Sequence, residues 1–300
     1  MTHRLLHHCA TLFATFAMAV ASHAAQAAPV STHPAFQVAV TGQGAPVILI
    51  PGLASSGEVW QGTVARLCGA AARPQRQCHV LNLAGFAGVP KVEGDLLAQA
   101  ETQLAGYIRE QQMEKPAIVG HSLGGFLALK LAIDHPQQAG KLVIVDALPA
   151  LGATQLPSIT KEQLQGMAAQ MRSAMRAQDD ASFAANQQRS VAGMASKPED
   201  VARILDWGKR SDRNSVADAM ASLMGTDLRQ DVARIASPTL VLGTWIAYKD
   251  YAPRAATEAV FRSQYQQLPG VQIVMAETAR HFIMYDDPDW MYGQIEQFLK

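Results

Sequence analysis

The stretch AIVGHSLGGFLALKLA, residues 117–132, contains an apolar run that stops at Ser122 and a second apolar run that starts directly after it. The first run, PAIVG, is short and continuous, as a buried strand should be. The second, SLGGFLALKLAIDH, is long enough for a helix. A hydroxyl therefore stands at a strand-to-helix corner, with Gly120 and Gly124 two residues to either side. The backbone at such a corner is strained, and side chains two positions away would run into the adjoining strand and helix. Glycine at both positions removes that collision. The helix behind also directs its first amide groups at whatever sits in front of the hydroxyl. Gly120-His121-Ser122-Leu123-Gly124 is thus G-x-S-x-G in the strand–turn–helix setting in which the serine serves as a nucleophile.

Outward from this corner the chain keeps the same rhythm. Apolar strands (FQVAV, VILIPGL, CHVLNL, KLVIVDA) alternate with helical patterns over about 57–67 and through DLLAQAETQLAGYIREQQ. Continuous apolar strands between amphipathic helices predict an α/β fold, with a mostly parallel central sheet covered on both faces. After Pro149 the alternation breaks. Residues 150–235 read as helices without a strand, and strands resume at SPTLVLG and VQIVMA before a last helix, PDWMYGQIEQFL. The expected organisation is a core of residues 28–149 and 236–300 with an all-helical cap inserted at 150–235. The cap is expected over the carboxyl edge of the sheet, where open α/β sheets bind their ligands.

The first 27 residues read as a signal peptide. MTHRLLHH is basic, CATLFATFAMAVA is uncharged and mostly apolar, and Ala25-Gln26-Ala27 offers a small-residue cleavage site. The apolar run falls short of the roughly 18 residues that span a bilayer, so export to the periplasm or medium is expected, without a stable membrane anchor. In an oxidising compartment Cys68 and Cys78 are expected to form a disulfide. The 300 residues carry 25 basic and 25 acidic side chains with no run of either sign, which argues against a nucleic-acid partner and for a neutral or small substrate. No motif-grade cluster suggests a metal, and no cofactor is expected.

IVGHSLGG resembles the serine signature of lipases and esterases, and RHFIMYDDPDW is similar to the segment around the catalytic histidine of the α/β-hydrolase superfamily. The likeness runs from Phe36 to Lys300, with the helical insertion as the superfamily's cap. It implies a nucleophile–histidine–acid triad and an ester-cleaving serine hydrolase. Elimination among the nine histidines independently selects His281, which follows the last strand by a short loop. His121, beside the serine, reads as structural. For the acid, the superfamily's usual place lies just past TLVLG, where Ile246 cannot serve. Asp250 is the first carboxylate beyond it and is favoured; Asp146, ending KLVIVD, is the alternative. The resemblance places the oxyanion donors at the backbone N–H groups of Leu123 and Leu53, although Pro51-Gly52 stands where many relatives carry His-Gly.

Met167, Met171 and Met175 recur every fourth residue, and Met194, Met220 and Met224 also fall in the insertion. Such spacing serves either core packing or an adaptable apolar wall for acyl or aryl groups. A small apolar ester is the expected substrate. A lactonase, thioesterase, amidase or lipase of the same fold, or a non-enzymatic binder of a small molecule, are the alternatives.

Overall fold

The computed structural model describes residues 33–300, so the leader reading at residues 1–27 lies outside the described residues. The elements follow in the order β1 (Phe36–Gly42), β2 (Ala45–Ile50), α1 (Gln61–Cys68), β3 (Arg76–Leu83), α2 (Leu96–Glu110), β4 (Ala117–His121), α3 (Leu123–Asp134) and β5 (Leu142–Val145). Then come α4 (Lys161–Ala177), α5 (Asp180–Val191), α6 (Pro198–Lys209), α7 (Arg213–Gly225), β6 (Thr239–Gly243), α8 (Arg254–Gln264), β7 (Gln272–Met275), α9 (Ile283–Asp286) and α10 (Pro288–Leu299).

The seven strands form one sheet in the order β1-β3-β2-β4-β5-β6-β7. Only the β1–β3 pair is antiparallel, with Phe36 opposite Leu83; the others are parallel. β4 sits in the middle and is buried along its whole length, which is why its sequence is an unbroken apolar run. Along β2, Ile48 and Ile50 join a core shared with α2 and α3, whereas Val47 and Leu49 join one shared with α1 and α10. The period of two in a strand sends alternate side chains to opposite faces, so both faces need helices.

α3 explains its own composition. Ten of its twelve residues are buried, so its apolar character runs all round, as expected of a helix inside the core. The amphipathic α2 is started by Asp95, whose side chain accepts from the N–H groups of Leu97 and Ala98. The helical pattern around residues 57–67 resolves into a 3-10 turn at Gly57–Trp60, capped by Ser56, followed by α1. The last residue of α1, Cys68, is disulfide-bonded to Cys78 on β3, with Cα atoms 5.9 Å apart. That separation is within the range disulfides occupy.

Between β5 and β6 the chain contains helices and 3-10 turns but no strand. α4 opens with a capping box, Thr160 and Gln163 satisfying each other's backbone N–H groups. α4 packs along α7, and α5 lies against α6. α5 carries no buried residue, unlike the other three helices of the insertion.

Candidate active site

The corner after β4 is as tight as its sequence requires. Ser122 has φ 52° and ψ −118°, a conformation held by its N–H donating to the Val145 carbonyl on the neighbouring strand at 2.9 Å. A Cβ on Gly120 would lie 2.2 Å from the carbonyl oxygen of Gly124, and one on Gly124 would lie 2.3 Å from that of Ile50. No side chain fits in either place. Ser122 is thereby lifted to the carboxyl edge of the sheet at the N-terminus of α3. Leu123 is the first residue of that helix, so its N–H has no intrahelical acceptor. Leu53, on the loop after β2, lines the same cavity as Ser122, and the approach of that loop depends on Gly52. A Cβ on Gly52 would stand 3.0 Å from the ring of His121 and 3.3 Å from Cβ of Ser122.

The structure brings His281 and Asp146 together. Nδ1 of His281 donates to Oδ2 of Asp146 at 2.6 Å, and Oδ1 of Asp146 accepts from the backbone N–H of Thr244 at 2.9 Å. Asp146 follows β5 with φ 47°, and its own N–H donates to the Leu242 carbonyl on β6 at 2.7 Å. This local reversal turns the side chain along the sheet edge towards the loop after β7.

The favoured acid, Asp250, is corrected by this geometry. Its side chain is 74% exposed, is ion-paired with Lys249, and does not line the cavity. The loop after β6 spends its length on a 3-10 turn, Ile246–Tyr248, and carries Asp250 out towards solvent beside the exposed Tyr251. What β6 contributes to the histidine is indirect, through the Thr244 amide that holds the carboxylate of Asp146.

His121 is fully buried against the same histidine. Its Nε2–H donates to the main-chain carbonyl of His281 at 3.0 Å, the two ring centroids lie 4.6 Å apart, and Nδ1 has no hydrogen-bond partner. Burial, and then the nearby His281, hold its pKa well below the usual histidine value, so this imidazole stays neutral. The loop bearing His281 is fixed from below as well. Asp286 accepts from the N–H of Arg280 and from the N–H of Ser196 in the α5–α6 connection, each at 2.8 Å. Nothing in the local sequence marks Thr244 or the Asp286–Ser196 bond for these tasks, because both reach across the fold.

Ser122, Asp146 and His281 all face one cavity of about 680 Å³ between the sheet edge and the helical insertion. Met171, Met175, Met194 and Met220 line it, with Phe183, Val216 and Leu223. Met167 points to solvent, Trp207 is buried in the core, and Trp245 packs beside the core. The methionines therefore do both: Met175, Met194 and Met220 line the cavity while packing against the core, whereas Met167 is exposed. Among the described residues, no group of three or more His, Cys, Asp or Glu is placed to hold a metal ion, and no helix is long and apolar enough to cross a membrane.

The family model described as "Alpha/beta hydrolase family" matches residues 47–294. Among curated proteins, the chain is 32% identical over 112 residues to a pimeloyl-[acyl-carrier protein] methyl ester esterase of Vibrio campbellii, covering 37% of this chain and 41% of that protein. A longer alignment, 26% identical over 265 residues, relates it to the protein of the same name from Aeromonas hydrophila, covering 86% of this chain and 96% of that one. Among solved structures, a thermophilic esterase from Thermogutta terrifontis superposes with a TM-score of 0.70 at 20% identity, covering 88% of this chain and 92% of that one.

Proposed function

The chain belongs to the alpha/beta hydrolase family, and on that premise we propose that it is a serine hydrolase of small, uncharged carboxylic esters. The observation that carries this reading is the 2.6 Å bond between His281 Nδ1 and Asp146, in a cavity that Ser122 also faces. Curated relatives bearing esterase names support it.

In the proposed reaction Ser122 Oγ attacks the ester carbonyl and gives its proton to Nε2 of His281. Asp146, bonded to Nδ1–H, keeps the imidazole in that tautomer and stabilises the imidazolium. The oxyanion of the tetrahedral intermediate meets the N–H groups of Leu123 and Leu53. The imidazolium then protonates the departing alkoxide, leaving an acyl-enzyme on Ser122. Water, deprotonated by His281, attacks that ester; the acyl–Oγ bond breaks, the imidazolium returns its proton to Ser122 Oγ, and the carboxylic acid leaves.

Export through the leader at residues 1–27 belongs to the same proposal. The Cys68–Cys78 bond supports it, since disulfides persist in oxidising compartments. N-terminal sequencing of the mature protein tests this point.

A fluorophosphonate probe tests the reaction class. Wild-type protein should acquire one adduct, on Ser122, and should hydrolyse p-nitrophenyl acetate; Ser122→Ala should do neither. A folded wild-type protein that takes up no probe would instead be a small-molecule binder.

A further inference from the structure

The cavity has hydrogen-bonding side chains for which ester cleavage itself has no use. Phe183, Asn186, Gln187, Ser190 and Val191 of α5 line it, spaced so that they share one face of the helix. On a helix that covers a core this face would be apolar. Here three of the five are polar and, although Val191 packs against the core, no residue of α5 is fully buried, so the polar members of this face are free to meet the cavity. Gln178, which follows α4, also lines the cavity. Asn186 already accepts from Arg189 on its own helix. The side-chain amides of Gln178 and Gln187 make no hydrogen bond to protein among the described residues. Gln187 has room beside α6 because residue 208 is glycine, where a Cβ would lie 3.1 Å from Nε2.

The cavity wall is also uncharged away from the reacting groups. Among its lining residues are no Lys, Arg or Glu, and Asp146 is already engaged by His281 and Thr244. The nearby guanidinium of Arg213, which stacks on Phe183 and donates to the Gln178 carbonyl, does not line the cavity and is already paired with Asp180. A carboxylate or ammonium on the substrate would therefore leave water with no unpaired opposite charge in the wall to meet. A primary amide side chain both donates and accepts, which complements the N–H and C=O of another amide. The acyl part of an ester remains in the site through both half-reactions, so it is the part that a cavity of about 680 Å³ can hold throughout.

We propose that the preferred substrate is an uncharged ester whose acyl chain carries an amide several bonds from the scissile carbonyl, bound by Gln178 and Gln187. This rests on the serine-hydrolase reading of Ser122. The methionines pack the methylenes between the two ends, and the glutamines set which chain is accepted.

Three p-nitrophenyl esters of matched length test it: the nonanoate, the 6-acetamidohexanoate and the 8-carboxyoctanoate. In the full-length wild-type protein the carboxylate ester should be the poorest, with kcat/KM at least about tenfold below that of the acetamido ester. In Gln178→Leu/Gln187→Leu the kcat/KM ratio of acetamido ester to nonanoate should fall by about tenfold, as loss of two neutral hydrogen bonds implies. Both substrates are measured on one preparation, so a lower folded fraction cancels from the ratio. A ratio moved by less than about twofold, or a carboxylate ester turned over as well as the acetamido ester, overturns the proposal while the hydrolase reading stands. Absence of turnover of all three esters and of p-nitrophenyl acetate, with no fluorophosphonate adduct on folded protein, sinks the underlying reading as well.

Discussion

Asp146 and His281 are 135 residues apart in the chain, yet their side chains meet at 2.6 Å on the carboxyl edge of the sheet. The carboxylate comes from β5, the strand next to the one that carries Ser122, and is braced by an amide from β6. Three consecutive strands thus contribute to one small cluster, and the loop after β7 closes it.

Removing the carboxylate charge without changing its shape should disable the histidine. Asp146→Asn is expected to lower kcat for p-nitrophenyl acetate by up to about 10⁴, through the wrong imidazole tautomer. Asp250→Asn, at an exposed position, should stay within about twofold of wild type. Steady-state rates of the two variants, with folding checked by circular dichroism, decide the matter.

The buried His121 should make stability depend on pH. Its folded pKa is depressed, by burial first and by His281 second, so the unfolded chain binds the extra proton. The stability due to a neutral His121 is therefore present above the unfolded value of about 6.5 and is lost as pH falls below it. Urea unfolding at pH 7 and pH 5 should show wild type losing about 1–2 kcal/mol more than His121→Gln over that interval. Equal losses would mean that this ring is protonated without penalty.

The corner at Ser122 has no room for a methyl group. Gly124→Ala would push a carbon to 2.3 Å from the Ile50 carbonyl, and Gly120→Ala would do the same against Gly124 at 2.2 Å. Each should lower unfolding free energy by about 1–3 kcal/mol or more, since backbone must shift to accommodate it. Thermal denaturation reads the loss, and fluorophosphonate labelling of the surviving folded protein should slow as Ser122 is displaced.

The bond between Cys68 and Cys78 closes a short loop, with a sequence separation of 10. Restricting the unfolded chain over that length contributes about 2–3 kcal/mol. Cys68→Ala/Cys78→Ala should be less stable by roughly that amount in denaturant titrations, with the slope of unfolding changed as the unfolded chain expands. The same titration of wild type in a strong thiol reductant should reproduce the shift.

Much of the architecture is legible in the residues. β4 and α3 are read from one apolar run and its change of period, and the helical stretch after Pro149 stands out because no strand pattern occurs in it. His281 is singled out as the candidate base by elimination and by its position after the last strand. The carboxylate that meets His281 is not found that way. Asp146 and Asp250 both lie beyond the carboxyl ends of strands, and counting residues past β6 points to Asp250, which the structure does not bring to His281. The spacing rule assumes a short loop that stays at the sheet edge, whereas this loop winds through Ile246–Tyr248 and leaves it. The supporting roles of Thr244, Asp286 and the His121 ring leave no local signal, because each bond spans distant parts of the chain.

The amino-acid order by itself determined the strand, the turn and the helix around Ser122, because the forces there act between residues a few positions apart. Apolar periodicity selects the elements, and two glycines permit the corner. Which carboxylate faces His281, and which polar side chains face the cavity, were decided only by the tertiary structure. Those choices depend on how loops from separate strands curve through space, on the positive φ at Asp146, and on the cavity that α5 lines. Pattern along a chain carries no information about such directions until the sheet has assembled and the helices have closed over it.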